Sequence, residues 1–228
     1  MLEVCVDSLH AAKIAVQAGA GRIELSEQLH LGGVTPSREL VRQVRDAIDV
    51  PLVVLVRSRP GNFYFEPHDR ETMIAQSIDA IEDGAHGIAI GGLDQQNDLD
   101  DRFLRSLLAL KLPCEWIMHR AFDSVRDPKS AIEQLIEIGF HRILTSGGPP
   151  TAIDGVDTLA QWVSWSQGRI EILPAGGINC DNAWDILART GCGQLHGSFR
   201  SLDPLAKSSN LPDSTVIQKT LAVFNQLA

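Results

Sequence analysis

The stretch Met118-His119-Arg120-Ala121-Phe122-Asp123 is central to the predicted fold, because an apolar run ends there in an imidazole, a guanidinium and a carboxylate. A buried strand that ends in three ionisable groups is costly unless these groups face a site, since unpaired charge is destabilised away from water. Several other strand-like segments end in the same way, so we interpret the stretch as the rim of a pocket. The alternative is a strand that exits to solvent, with His119 hydrogen-bonded to a nearby carbonyl.

The composition predicts one globular α/β domain over residues 1–228. The chain has 44% apolar residues and a mean hydropathy close to zero, which is enough to bury a large core. A formal charge of −9 argues against a nucleic-acid partner. No apolar stretch approaches the roughly 20 residues needed to span a membrane, and the N-terminus enters strand-like sequence directly. We therefore expect no membrane attachment and a cytoplasmic location.

Eight β-rich runs alternate with amphipathic segments, which predicts eight strand-then-helix units. The predicted strands are Leu2–Val6, Arg22–Leu25, Leu52–Val56, His86–Ile90, Cys114–Met118, Arg142–Thr145, Ile170–Leu173 and Gln194–Gly197. The predicted helices cover about residues 9–18, 38–48, 69–83, 102–110, 127–139, 156–166, 182–189 and 214–226, and Ser37 is the predicted N-cap of the second. Eight such units in this length indicate a closed (β/α)8 TIM barrel. An open doubly wound sheet is less favoured, because Cys5-Val6-Asp7-Ser8 stands where a Gly-x-Gly-x-x-Gly fingerprint would follow the first strand.

Polar residues alternate with apolar ones in the first two strands, so the polar set is expected to face the barrel interior. Glu3 and Arg22 come early in their strands, which also fits an ion cluster that closes the bottom of the barrel. The residues nearer the carboxyl ends lie on the face where barrel enzymes carry their chemistry. The full predicted interior network comprises Glu3, Asp7, Glu24, Arg57, Arg59, His119 and Arg120.

Within this network, His119 with Glu24 or Asp7 forms the candidate acid–base set. The arginines of the network, Arg57, Arg59 and Arg120, are candidates for binding an anion. Turns after strands six, seven and eight add backbone N–H groups where barrels often hold phosphate. Their candidate residues are Ser146, Gly147, Gly176, Gly177, Asn179, His196, Gly197 and Ser198. The alternative for these glycines is the positive φ that any tight turn requires.

Four widely spaced cysteines without a Cys-x-x-Cys pair disfavour both a zinc knuckle and a disulfide framework. We interpret the acidic run 94–101 as a solvated face rather than a metal site.

These motifs together resemble the CutC family over about residues 3–200, whereas residues 201–228 carry no motif that aligns. The resemblance rests on segments 3–8, 22–25, 32–37, 57–59, 119–123, 144–148, 176–179 and 196–198. It implies a cytoplasmic (β/α)8 barrel, often a homodimer, described as copper-binding or copper-trafficking. Family members commonly carry Cys directly after the Arg-Ile-Glu-Leu segment, whereas this chain has Ser26. Copper(I) favours thiolate or thioether ligands, so this departure removes one expected donor. For the metal that the resemblance implies, Cys5 remains a candidate inward ligand, with His119 or His196 as further donors. The alternative is that Cys5 is a small buried hydrophobe.

Two functional hypotheses follow from the sequence. The resemblance implies a copper-homeostasis protein that binds or traffics Cu(I), with Cys5 as the metal contact. The residues themselves favour a barrel enzyme that acts on a small anionic or phosphorylated molecule.

Overall fold

The computed structural model describes residues 1–201 and 211–227, which form eight parallel strands that each precede a helix. The strands are β1 (Leu2–Val6), β2 (Arg22–Leu25), β3 (Leu52–Leu55), β4 (Gly87–Ile90), β5 (Glu115–Met118), β6 (Arg142–Thr145), β7 (Glu171–Pro174) and β8 (Leu195–Gly197). The helices are α1 (Leu9–Gln17), α2 (Arg38–Ala47), α3 (Pro67–Glu82), α4 (Asp101–Leu108), α5 (Pro128–Ile138), α6 (Val156–Ser166), α7 (Ala183–Thr190) and α8 (Ser214–Leu227).

The strands are hydrogen-bonded in the order β7-β6-β5-β4-β3-β2-β1-β8, so the first strand pairs with the last. At the remaining seam, Gln194 donates a side-chain hydrogen bond of 2.9 Å to Glu171, which bridges from β8 to β7. The nearly closed ring confirms the predicted (β/α)8 barrel. It brings the carboxyl ends of all eight strands to one mouth.

Most predicted element boundaries lie within one or two residues of the observed ones. Helix α3 begins at Pro67 instead of Asp69, because Pro is well suited to the first helical turn and Asp69 accepts the Glu66 N–H at 3.2 Å. Ser37 precedes α2 as predicted, but its hydroxyl donates to Glu27 at 3.0 Å instead of capping the helix. A short 3₁₀ helix at Arg120–Ser124, directly after β5, was not predicted.

Two apolar clusters show how the barrel is filled. The larger one lies between the strands and the surrounding helices and includes Val4, Ile23 and Leu25. The alternate residues of these strands therefore face inward, as expected. The smaller cluster is formed by residues of β3–β7 and by the residue directly after β7. It comprises Val53, Leu55, Ala89, Ile117, Leu144, Leu173 and Ala175. The inner wall is thus apolar on one side, whereas the prediction emphasised only its polar side.

The region after β8 is described in part. Residues 202–210 of the predicted tail lie outside the described residues, whereas α8 begins at Ser214 as expected. Across residues 1–201 and 211–227, no helix has both the length and the apolar content needed to cross a bilayer.

Candidate functional site

A cavity of about 240 Å³ opens at the carboxyl ends of the strands. Residues of β1, β2 and β8 contribute a polar wall, and β3, β6 and the residue after β7 contribute an apolar one. The lining residues are Cys5, Glu24, Ser26, Leu29, Gly32, Leu55, Arg57, Phe63, His119, Arg120, Leu144, Ala175, Gly176, Gly177, His196, Gly197 and Ser198. Its volume is close to the lower end of the range of about 300–1,000 Å³ that is typical of small-molecule sites.

A larger surface groove of about 340 Å³ lies beside α2 and α3 and shares no lining residue with this cavity. Its charged groups already satisfy one another: Arg38 and Arg42 bond to Asp83 at 2.6 and 2.8 Å. The Arg38 bond is the main cause that lowers the pKa of Asp83. We therefore place the candidate site at the mouth.

Ten of the predicted site residues line this one cavity. They are Cys5, Glu24, Arg57, His119, Arg120, Gly176, Gly177, His196, Gly197 and Ser198. They come from six different strand ends, which the barrel brings together although they are up to 193 residues apart in sequence.

Five predicted residues do not line it. Arg59 bonds to Asp69 at 3.0 Å and packs over the Phe65 ring, so its guanidinium is directed away from the cavity. Asn179 instead shapes its own turn by accepting the Asp181 N–H at 2.8 Å. Asp7 follows β1 and is only half-buried, because the alternation that continues from Glu3 through Cys5 ends with the strand.

Ser146 and Gly147 lie behind the cavity, and Ser146 supports one of its residues. Ser146 accepts a hydrogen bond of 2.8 Å from Arg120, and Asp123 accepts another from Arg120 at 2.8 Å. A Cβ on Gly147 would lie 2.6 Å from the Gly155 carbonyl oxygen, so this position needs glycine for close packing. Ser146 therefore helps to position Arg120, whereas Gly147 allows the close packing of its own loop.

The polar wall is built on a buried carboxylate, Glu3, which lies deeper in the barrel. Glu3 pairs with Arg22 through one oxygen and with the His196 Nδ1 at 2.7 Å through the other. Burial raises the pKa of Glu3, but His196 and Arg22 outweigh it and lower the pKa to about 2. Arg22 also donates to Gln194 at 2.6 Å. This cluster matches the ion cluster that the sequence left open as an alternative.

Glu24 is the carboxylate that faces the cavity itself. It is 6% exposed, and its Oε2 has no hydrogen-bond partner within the described part of the chain. Burial raises the pKa of Glu24 from 4.5 to about 7, although His196, Arg22 and Arg142 pull it down. A carboxyl that titrates near neutral pH can both accept and release a proton, as a general acid–base group must.

Glu3, Glu24 and His196 each offer a ligand atom within 4.8 Å of the others, which is a metal-like spacing. However, the pKa of His196 is raised well above its usual value. Burial alone would lower this pKa, but Glu24, Cys5 and Glu3 raise it by more. The imidazole therefore holds a proton and is itself the cation that pairs with the ionised Glu3. A metal ion would have to displace that proton, so the cluster fits an ion network better than a metal site.

His119 lies at the end of β5, and its ring tautomer follows from one bond. Its Nδ1 accepts the Ala121 N–H at 3.2 Å, so the neutral ring carries its proton on Nε2. That Nε2 is buried and has no partner among the described residues. Burial, together with the charge of Arg57, lowers the pKa of His119 from 6.5 to about 3. His119 is thus a neutral hydrogen-bond donor at physiological pH.

Arg57 joins two loops over the cavity. Its terminal nitrogens donate to the carbonyls of Gly33 and Gly61 at 3.2 and 2.5 Å. Its guanidinium lies 4.8 Å from the Phe63 ring centroid, and Phe63 in turn packs against His119 with ring centroids 5.2 Å apart. Burial lowers the pKa of Arg57, but an arginine retains its charge in proteins.

Two residues that position this group were missed from the sequence. Phe63 carries the contacts to both Arg57 and His119, yet it lies in a loop without any motif. Gly91 follows β4, and a Cβ there would lie 2.8 Å from the His119 ring. The sequence contains one feature that points to Gly91: the pair Gly91-Gly92 follows a predicted strand, like the glycine turns identified after other strands.

Cys5 is the thiol of the cavity wall. The other cysteines, Cys114, Cys180 and Cys192, lie outside the cavity lining. Burial raises the pKa of Cys114 and of Cys192 to about 11, so these thiols stay protonated at neutral pH.

The fold and the site together define a (β/α)8 barrel protein with a pocket at the carboxyl ends of its strands. Comparisons with known proteins identify its family: the CutC family model matches residues 1–201, and the chain belongs to that family. A copper homeostasis protein cutC homolog of Mus musculus is 39% identical over 201 residues, which cover 88% of this chain and 74% of that protein. A CutC family protein of Treponema denticola is 38% identical over 86% of this chain and 79% of its own length.

A solved structure of the same family supports the fold. The chain from Streptococcus agalactiae that bears the CutC name superposes with a TM-score of 0.83 at 29% identity, covering 87% of this chain and 98% of that one. Thiamine phosphate pyrophosphorylase from Pyrococcus furiosus superposes with a TM-score of 0.63 at 15% identity, which shows a shared fold alone.

Proposed function

We propose that this chain serves copper homeostasis, the role that the names of its relatives state for those proteins. We further propose that it is cytoplasmic and acts as a homodimer. The supporting observation is the 39% identity to the copper homeostasis homolog of Mus musculus across 88% of this chain. The location and the dimer follow only from the family resemblance. Analytical ultracentrifugation of the purified chain tests the dimer, and a monomer at micromolar concentration contradicts it.

For copper itself, Cys5 is the metal contact that the pocket offers. Copper(I) prefers soft sulfur ligands, and the cavity supplies one thiol, with Ser26 beside it in the lining. His196 is a poor second donor, because its Nδ1 bonds to Glu3 at 2.7 Å and its pKa is raised. The residues present therefore do not fit a two-thiolate site, and we expect weak Cu(I) binding that depends on Cys5.

A competition titration against a Cu(I) chelator of known affinity tests this expectation. The wild type should bind weakly, Cys5→Ser should bind less, and Cys192→Ser should match the wild type because that thiol lies outside the cavity. Tight stoichiometric binding that survives Cys5→Ser contradicts the assignment.

A second candidate function is that of an enzyme acting on a small anionic or phosphorylated molecule. One observation favours it: Glu24, His119 and Arg57 line the same cavity, and each has a buried polar atom without a partner in the described chain. Buried polar groups are usually satisfied, so three such atoms on residues that line one cavity favour a polar ligand. Arg57, Arg120 and the turn at Gly176 and Gly177 are the proposed anion contacts.

The test is a thermal melt with increasing phosphate or small phosphorylated metabolites. A ligand that binds only the folded state adds about 2.7 kcal/mol of stability at a hundredfold excess over its dissociation constant. We compare the ligand-induced shift within each variant, because Arg57→Ala also frees the carbonyls of Gly33 and Gly61. The shift should vanish in Arg57→Ala and persist in Arg59→Ala, whose guanidinium lies outside the cavity. Equal shifts in both variants contradict the assignment of Arg57.

A further inference from the structure

His119 presents a fixed hydrogen-bond donor to the cavity. The Ala121 N–H occupies its Nδ1 at 3.2 Å, so the ring proton is on the buried, unpartnered Nε2. Phe63 packs against one side of the ring with centroids 5.2 Å apart, and the bare Cα of Gly91 leaves room on another. This ring is held in one tautomer and one orientation before any ligand arrives. Preorganised donors of this kind stabilise negative charge that develops on an oxygen.

Arg57 adds a positive charge to the same region. Its charge contributes to the low pKa of His119, so the two groups are electrostatically coupled. Its Nε is buried and unpartnered in the described chain, whereas its terminal nitrogens hold the loop carbonyls. The cavity therefore combines a neutral donor with a fixed cation. That pair suits a carbonyl oxygen that becomes an enolate oxygen.

Glu24 supplies the complementary group. Glu24 lines the same cavity, and its Oε2 is buried without a protein donor within the described residues. The opposing wall is apolar and is formed by Leu55, Leu144 and Ala175. An apolar wall excludes water and strengthens the electrostatic interactions inside the cavity. A carboxylate, an oxyanion-binding pair and a dry wall are the parts that proton abstraction next to a carbonyl requires.

We propose that this cavity catalyses reversible proton transfer at the carbon next to the carbonyl of a small anionic oxo compound. Glu24 takes the proton from that carbon, the C–H electron pair becomes the C=C bond of the enolate, and the carbonyl electron pair moves to the oxygen. His119 Nε2–H and Arg57 bind that oxygen, and Arg120 binds the carboxylate or phosphate of the substrate. Return of the proton from Glu24 to carbon completes the step, so no co-reactant is needed. The inference rests on the second proposed function.

The test is hydrogen–deuterium exchange at carbon, followed by proton NMR in D₂O with the purified full chain. The probes are pyruvate, 2-oxoglutarate and dihydroxyacetone phosphate, which each carry an acidic C–H next to a carbonyl and an anionic group. The wild type should exchange at least one of them faster than buffer alone. Glu24→Gln should slow the exchange by about 10²–10⁴-fold, as expected for a lost general base. His119→Gln should slow it by about 10²–10³-fold, as expected for a lost oxyanion donor.

Glu133→Gln, on the outer face of α5, is the matched carboxylate control and should exchange like the wild type. Probe binding is measured in parallel by the shift in melting temperature. Binding of a probe without any exchange overturns this inference and leaves the second proposed function standing. Neither binding nor exchange with any of the three overturns both. Exchange that persists in folded Glu24→Gln overturns the role of that carboxylate.

Discussion

The two sides of the barrel interior differ in chemistry although they belong to the same ring of strands. The side formed by β1, β2 and β8 is charged, with Glu3, Arg22, Glu24 and His196 all at least nine-tenths buried. The side formed by β3–β7 is mostly apolar and packs as a separate small cluster, although Arg142 of β6 is also buried. Barrel interiors are usually filled by branched aliphatic residues, so the apolar side is ordinary and the charged side is not. The candidate site lies where the two sides meet.

The two sides are therefore stabilised by different interactions within one fold. The charged side is held by mutual pairing, because each buried ion is destabilised without its partner. The apolar side is held by packing, which depends on volume rather than on charge. A substitution on the apolar side should therefore leave the pairing of the buried ions unchanged, and a substitution on the charged side should leave the apolar packing unchanged.

Removing the central carboxylate of the charged side should have the largest effect on stability. In Glu3→Gln, Arg22 and His196 lose the charge that both of them contact. Breaking one member of a buried ion pair costs about 3–5 kcal/mol, because it leaves uncompensated charge. Urea unfolding followed by circular dichroism measures this loss.

The control for that experiment is an exposed pair. Glu133 bonds to Arg169 at 2.7 Å on the outer surface. Glu133→Gln should change the free energy of unfolding by about 0–1 kcal/mol, since exposed salt bridges contribute little. If Glu3→Gln is as mild as this control, the charged side is not held by pairing, and the comparison fails.

Truncating the apolar side should cost slightly less and leave the charges unaffected. Leu173 is fully buried in the small inner cluster and does not line the cavity. Leu173→Ala should destabilise the fold by about 2–5 kcal/mol through lost burial and the cavity that remains. NMR titration of the His119 and His196 rings should show unchanged pKa values. A shifted pKa in this variant would indicate that the two sides are coupled.

The fold could be predicted because its signals are local and repeated. All eight strands were predicted within two residues of their observed bounds, since each strand such as β2 or β6 is a short apolar alternation between turn signals. Glu24 and His119 were also recognised, because an ionisable residue at a strand end is visible without knowledge of its neighbours.

The rest of the site depends on contacts that the sequence does not encode locally. Nothing near Arg59 shows that Asp69 and Phe65 hold it away from the cavity, whereas Arg57, two residues earlier, lines it. Phe63 was missed because its importance comes from packing against Arg57 and His119. Pairing of Glu3 with His196 joins residues 193 positions apart in the sequence, so only the closed ring reveals it.

The smallest expected effect concerns how stability depends on pH between about 4.5 and 6.5. His119 has a lowered pKa of about 3, so in this range the unfolded chain binds a proton there and the folded chain does not. Glu24 has a raised pKa of about 7, so the folded chain binds a proton there and the unfolded chain does not. These two contributions have opposite signs, and together they should cancel in the wild type.

Single variants should uncover each slope, measured by urea unfolding at several pH values. Glu24→Gln leaves the His119 contribution, so stability should fall as the pH falls, by at most about 1.4 kcal/mol per pH unit. His119→Gln leaves the Glu24 contribution, so stability should rise as the pH falls, with the same upper limit. Glu24 is also faced by Glu3, His196, Arg22 and Arg142, and His119 by Arg57. Glu3 and His196 keep their charges in the folded chain across this range, because the pKa of Glu3 is lowered to about 2 and that of His196 is raised. If the free energy of unfolding changes with pH in the same direction in both variants, either Glu24 or His119 does not have the protonation state assigned to it here. The assignment of a neutral His119 and a protonated Glu24 where the charged and apolar sides meet would then be wrong.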